Sequence, residues 1–124
     1  MPFEERILIV DDEPVIRSLF KDLLNDEGYE VDTVNNGQEA IETISQKRFN
    51  MVFMDVHMPV MNGLEALIKM RQMQPDLTVV MMDSFPDQLA LEAEKRGAIT
   101  CIHKPFNIKE ITDLIKVNHK GGLK

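Results

Sequence analysis

A chain of 124 residues with a formal net charge of −7, 44% apolar residues and one cysteine fits a single globular domain with its own core. Basic residues never run beyond two in a row, which argues against nucleic-acid binding, since phosphate contacts need clustered Lys and Arg. The lone cysteine cannot close an internal disulfide and fits a reducing cytoplasm. The N-terminus lacks the basic-then-apolar pattern of a signal peptide, and no apolar run approaches the roughly 18 residues of a membrane span.

Taken in order, Ile7-Leu8-Ile9-Val10 is short and rich in β-branched residues, and predicts a buried strand over Arg6–Asp11. Glu13-Pro14 opens a helix, with Pro14 in the first turn where its missing N–H costs nothing. Val15, Ile16, Leu19, Phe20, Leu23 and Leu24 recur at helical spacing and predict its buried stripe. Gly28 stands where a C-terminal cap belongs. Strand two, Glu30–Val34, alternates polar and apolar residues and reads as an edge strand. Asn36-Gly37-Gln38-Glu39 forms a capping-box pattern before a helix burying Ala40, Ile41 and Ile44. Strand three is Asn50–Met54.

The loop Asp55–Asn62 contains Pro59 and leads through Gly63 to a third helix, with Leu64, Leu67 and Ile68 inward. Pro75-Asp76 breaks that helix, and strand four is Leu77–Met82. Pro86 opens a fourth helix whose apolar face is narrow: Leu89, Ala90, Leu91 and Ala93. Gly97 ends it. Strand five is Ile99–His103. Asn107 and Glu110 frame a last helix with Ile108, Ile111, Leu114 and Ile115 as its stripe. A short tail over 119–124 follows the core of residues 6–118. Alternating strands and helices with short loops imply one domain over 1–124, an α/β fold with a parallel sheet and right-handed crossovers. Strands one, three and five are wholly apolar and are expected at or near the centre.

Charges follow these strands. Asp11 and Asp12 follow strand one, Asp55 follows strand three, and Lys104 follows strand five with Pro105 behind it. The carboxyl ends of parallel strands share one edge, where open α/β sheets bind ligands. Three carboxylates gathered there repel one another unless a cation intervenes. An all-oxygen set favours a hard divalent ion, and Mg²⁺ accepts phosphate oxygens alongside its waters. Lys104 adds an ammonium for a phosphoryl oxygen. The set suits phosphoryl transfer, with Asp55 as the nucleophile that becomes an aspartyl phosphate.

Asp11-Asp12, Asp55 with Met58-Pro59-Val60-Met61-Asn62-Gly63 behind it, Gly97-Ala98 and Lys104-Pro105-Phe106 together resemble the receiver domain of two-component response regulators. The likeness spans residues 6 to 118 and extends to single-domain receivers of the sporulation-phosphorelay and chemotaxis type. It implies a flavodoxin-like (βα)5 doubly wound sheet in the order 2-1-3-4-5. It also implies a phosphoacceptor role for Asp55, direct Mg²⁺ ligation by Asp12 and Asp55, ligation through water by Asp11, and a ligating backbone carbonyl at His57. Lys104 would contact the phosphoryl group, and Lys104-Pro105 would be a cis peptide. Such proteins catalyse phosphotransfer onto themselves and later hydrolysis, rather than acting as conventional enzymes. The implied partners are a histidine kinase or histidine phosphotransfer protein, and a downstream protein at helix four, strand five and helix five. A bacterial cytoplasmic protein, monomeric or weakly dimeric and acting without membrane or nucleic acid, is the expectation.

Two positions depart from the family. Counted back from Pro75 without gaps, the Thr or Ser that ends strand four falls on Asp83, with Ser84 next. One residue is missing before Gly97, at Phe85-Pro86. A second register puts Ser84 in the phosphoryl-binding position but needs compensating gaps. Three residues before Lys104, an aromatic switch residue is replaced by Cys101, which also reads as a small core residue. An ionised Asp83 cannot donate a hydrogen bond to a phosphoryl oxygen and adds a fourth negative charge. It could face away, help hold the metal, or simply be a solvated cap for helix four. The alternative function is a receiver-fold interaction module that works without phosphorylation. Among the methionines, Met81 with Met82, or Met58 with Met61, could soften a partner surface.

Other classes fall away. No Gly-x-x-x-x-Gly-Lys-Ser/Thr loop occurs. Asp55-Val56-His57 lacks the second Asp of haloacid-dehalogenase-like phosphatases. Asp11-Asp12-Glu13 would repel a flavin phosphate.

Overall fold

Ile7, Leu8, Ile9 and Val10 are each 0% exposed, which four consecutive residues achieve in a strand covered on both faces. The computed structural model describes residues 6–58, 60–83, 88–98, 100–103 and 108–117. Strands β1 (Arg6–Val10), β2 (Glu30–Val34), β3 (Met51–Asp55), β4 (Thr78–Asp83) and β5 (Thr100–His103) alternate with helices α1 (Pro14–Asp26), α2 (Gly37–Gln46), α3 (Gly63–Met73), α4 (Gln88–Lys95) and α5 (Ile108–Val117). The five strands form one parallel sheet in the order β2-β1-β3-β4-β5. The α/β doubly wound architecture and its order are therefore as expected.

Strand alternation sorts the side chains into two cores. Leu8, Val10, Val52, Met54, Val79 and Met81 meet α2, α3 and α4 through Ala40, Ile44, Ala66, Leu67, Met70 and Ala93. Ile7, Ile9, Met51, Phe53, Val80, Met82 and Ile102 meet α1 and α5 through Phe20, Leu24, Ile111 and Ile115. The Phe20 and Phe53 rings lie 5.8 Å apart and tilted by 54°. Among the described residues no helix is long and apolar enough to cross a membrane.

Helix ends obey local chemistry. Gly28 has φ +98°; its N–H reaches the Asn25 carbonyl at 3.0 Å and the Tyr29 N–H reaches that of Leu24 at 3.1 Å, a Schellman closure of α1. The Asn36 side chain caps α2 by accepting from the Glu39 N–H at 2.9 Å.

Several expectations are corrected. Val15 is 75% exposed and Leu19 46% exposed. The apolar stripe of α1 spans roughly half its circumference at about 100° per residue, and the sheet covers only the flank carrying Phe20 and Leu24. On α3 the buried residues are Gly63, Ala66, Leu67 and Met70, with Leu64 and Ile68 half-buried. β5 is an edge strand; its apolar character reflects helices over its faces, not a central place. Met81 and Met82 are fully buried core residues and offer no partner surface. Asp55 and Asp83 belong to their strands and not to the loops after them. The expectations for Ser84, Phe85, Pro86, Lys104, Pro105, Phe106, Asn107 and the tail fall outside the described residues.

Candidate functional site

The site grows from the carboxyl ends of β1 and β3. Asp11 continues the ladder of β1 into β2, its N–H reaching the Val34 carbonyl at 3.2 Å. It is 0% exposed. Its Oδ1 accepts from the Glu13 N–H at 2.9 Å, turning the chain into α1. Arg17, one helical turn further on, donates to the Asp11 carbonyl at 2.8 Å. Asp12 is left exposed at the rim. Asp55 is the last residue of β3 and is 6% exposed. The His57 N–H lies 3.3 Å from its Oδ1, and the His57 ring is exposed.

Alternation explains the convergence. Asp11 has the parity of Ile7 and Ile9, and Asp55 that of Met51 and Phe53, so both side chains leave the sheet on the α1 side. Ligand oxygens of Asp11, Asp12 and Asp55 lie within 4.8 Å of one another. An all-carboxylate set this tight fits a hard divalent cation, whose charge offsets the mutual repulsion.

The loop from Asp55 to α3 is held close to the sheet. The Val56 N–H reaches the Met82 carbonyl at 2.9 Å, and the Gly63 N–H reaches that of Val56 at 2.8 Å. A Cβ on Gly63 would stand 2.4 Å from the Asp55 carbonyl oxygen and 2.9 Å from the Val56 Cα. Asn62 and Glu65 complete a reciprocal capping box at 2.9 and 3.2 Å, starting α3 directly behind the site. Val60 is 80% exposed and has φ 71°, left-handed backbone that strains a β-branched residue.

Asp83 ends β4. Met82 pairs with Asp55 and Asp83 pairs with His103. Asp83 is 0% exposed, so it is not a solvated cap for helix four. Among the described residues it is not part of the tight carboxylate group. The backbone of Cys101 pairs with Met81. Ser84, Lys104 and Pro105 lie outside the described residues. Sequence reasoning missed Arg17 as the group that holds the Asp11 carbonyl; its place one turn into an acidic-flanked helix was the available signal. It also missed the steric demand at Gly63, which only the close approach of the loop reveals.

The model of the response regulator receiver domain matches residues 7–116 of the chain. The chain belongs to the response regulator receiver family. This receiver is 35% identical over 113 residues to sporulation initiation phosphotransferase F of Bacillus subtilis, spanning 90% of the chain and 91% of that protein. It is 34% identical over 113 residues to chemotaxis protein CheY of Thermotoga maritima, spanning 90% of the chain and 94% of that protein. Its fold superposes with a TM-score of 0.84 on the response regulator TrrA of Thermotoga maritima in complex with Mg²⁺ and BeF, at 33% identity, covering 92% of the receiver and 98% of TrrA.

Proposed function

We propose that this receiver accepts a phosphoryl group from a phosphohistidine onto Asp55, with Mg²⁺ as cofactor, in two-component signalling. The observation that carries the reading is the meeting of Asp11, Asp12 and Asp55 oxygens within 4.8 Å at the ligand-binding edge of the sheet. The Mg²⁺ complex of TrrA supports the choice of cation. Asp11, Asp12, Asp55 and the backbone carbonyl of His57 would hold the ion. Bound there, Mg²⁺ offsets the charge of the carboxylates and of an incoming phosphoryl group.

The protein's own part is positioning and attack. An Asp55 carboxylate oxygen forms the new P–O bond as the P–N bond to the donor imidazole breaks, the electron pair leaving with the imidazole nitrogen. The His57 N–H orients the Asp55 carboxylate. Arg17 holds the Asp11 backbone carbonyl and the Glu13 N–H holds its Oδ1. Lys104 is proposed to contact the phosphoryl group. Partners are a histidine kinase or phosphotransfer protein as donor and a protein target at α4, β5 and α5, in the cytoplasm. The interaction module working without phosphorylation is not favoured by relatives such as the sporulation phosphotransferase.

Incubation with acetyl phosphate and Mg²⁺ should add one phosphate by intact-mass spectrometry, and Asp55→Asn should add none. An unmodified wild-type mass with small-molecule and phosphohistidine donors alike would overturn the reading.

A further inference from the structure

Asp83 is a buried carboxylate that the proposed chemistry does not use. It is 0% exposed and engaged in polar or electrostatic interactions. Its place is set by the ladder. Asp55 pairs with Met82, and the Val56 N–H bonds to the Met82 carbonyl at 2.9 Å. Neighbouring strands run about 4.8 Å apart, so the backbone of Asp83 stands beside the Asp55–Val56 peptide. Its parity is that of Val79 and Met81, opposite to the parity of Asp55. The Asp83 backbone therefore adjoins Asp55, while its carboxylate stands outside the tight oxygen cluster of the trio.

A carboxylate so placed accepts hydrogen bonds but donates none to a phosphoryl oxygen. Its charge acts through a poorly solvated strand end, where screening by salt is weak. A negative charge at this strand end has opposite effects on the two occupants that the site would take. It attracts the divalent cation and repels the phosphoryl anion.

We infer that Asp83 is a specificity-determining residue of this site, one that tightens divalent-cation binding and weakens retention of the phosphoryl group. The inference rests on the reading of Asp55 as phosphoacceptor. The consequence is a receiver that holds its cation readily and keeps only a small phosphorylated fraction unless the donor is abundant.

The test uses the full chain and Asp83→Asn, which removes the charge at nearly constant shape. Calorimetry measures Mg²⁺ affinity, and NMR titration measures beryllofluoride affinity at saturating Mg²⁺. The expected result is a shift of about tenfold in each, in opposite directions: weaker Mg²⁺ and tighter beryllofluoride. Asp83→Thr, a smaller neutral side chain, should repeat the pattern and serves if the first variant does not fold. Unchanged affinities, or two shifts of the same sign, would overturn the inference. If Asp55→Asn abolishes phosphate uptake as expected while these affinities stay put, only the role of Asp83 falls. If Asp55→Asn is still phosphorylated, the underlying reading falls instead.

Discussion

At the amino ends of the strands the loops are tied by amides and cations. Asn50 Oδ1 accepts from the Arg6 N–H at 2.7 Å, and the Asn50 N–H reaches the Arg6 carbonyl at 2.8 Å. Gln74 Nε2 donates to the Ile44 carbonyl at 3.0 Å, and Arg71 donates to the Leu77 carbonyl. At the carboxyl ends of the same strands the buried polar groups among the described residues are the carboxylates Asp11, Asp55 and Asp83. One end satisfies the polar groups that folding buries. The other gathers carboxylates, whose mutual repulsion a bound cation would offset. Changes at the amino end should therefore cost stability without touching cation binding, whereas changes at the acidic end should alter the site.

The largest effect is expected from Gly63→Ala at the acidic end. The added Cβ meets backbone 2.4 Å away, so the loop behind Asp55 must move, at a cost of about 3 kcal/mol. Urea unfolding measures it, and phosphate uptake should fall with it; a loss below about 1 kcal/mol would break the picture of a sterically closed loop. Next comes the cation itself. Mg²⁺ at a hundredfold excess over its Kd should stabilise the fold by about 2.7 kcal/mol. Asp12→Asn should shrink that gain, while changes at the amino end should leave it intact.

Gly28→Ala sharpens the contrast between the ends. Its φ is +98° and nothing lies within 4 Å of the added Cβ. The cost is about 1 kcal/mol of left-handed strain, with no change in Mg²⁺ affinity by calorimetry. Asn50→Ala removes the acceptor for the Arg6 N–H and should cost about 1 kcal/mol of stability, again without touching Mg²⁺ binding. The smallest effect belongs to the exposed Lys109–Asp113 pair at 3.0 Å. Lys109→Ala should cost less than about 0.5 kcal/mol, and the difference should vanish in high salt.

Elements with strong local signals were legible in the chain. Pro14, Gly28, Asn36 and Gly97 mark helix ends because capping is decided within a few residues. β2 reads as an edge because its polar residues alternate, and it is one. β5 misled for the same physical reason: an apolar strand reports covered faces, and α5 covers β5 although the strand lies at the sheet margin. Val15 and Leu19 misled because helical periodicity gives the direction of a stripe but not how much of it the sheet covers. Asp11, Asp12 and Asp55 were legible as a group because each follows an apolar strand, and parallel strands end on one edge.

Residue order alone determined the α/β alternation, the helix caps, the acidic ends of β1 and β3, and the family. Those features depend on periodicity and on contacts a few residues apart. Tertiary structure alone decided that Asp83 is buried within β4, that Arg17 holds the Asp11 carbonyl, and that Gly63 must be without a side chain. Each of these depends on which segments approach one another across the sheet and how closely, and no local pattern encodes that distance.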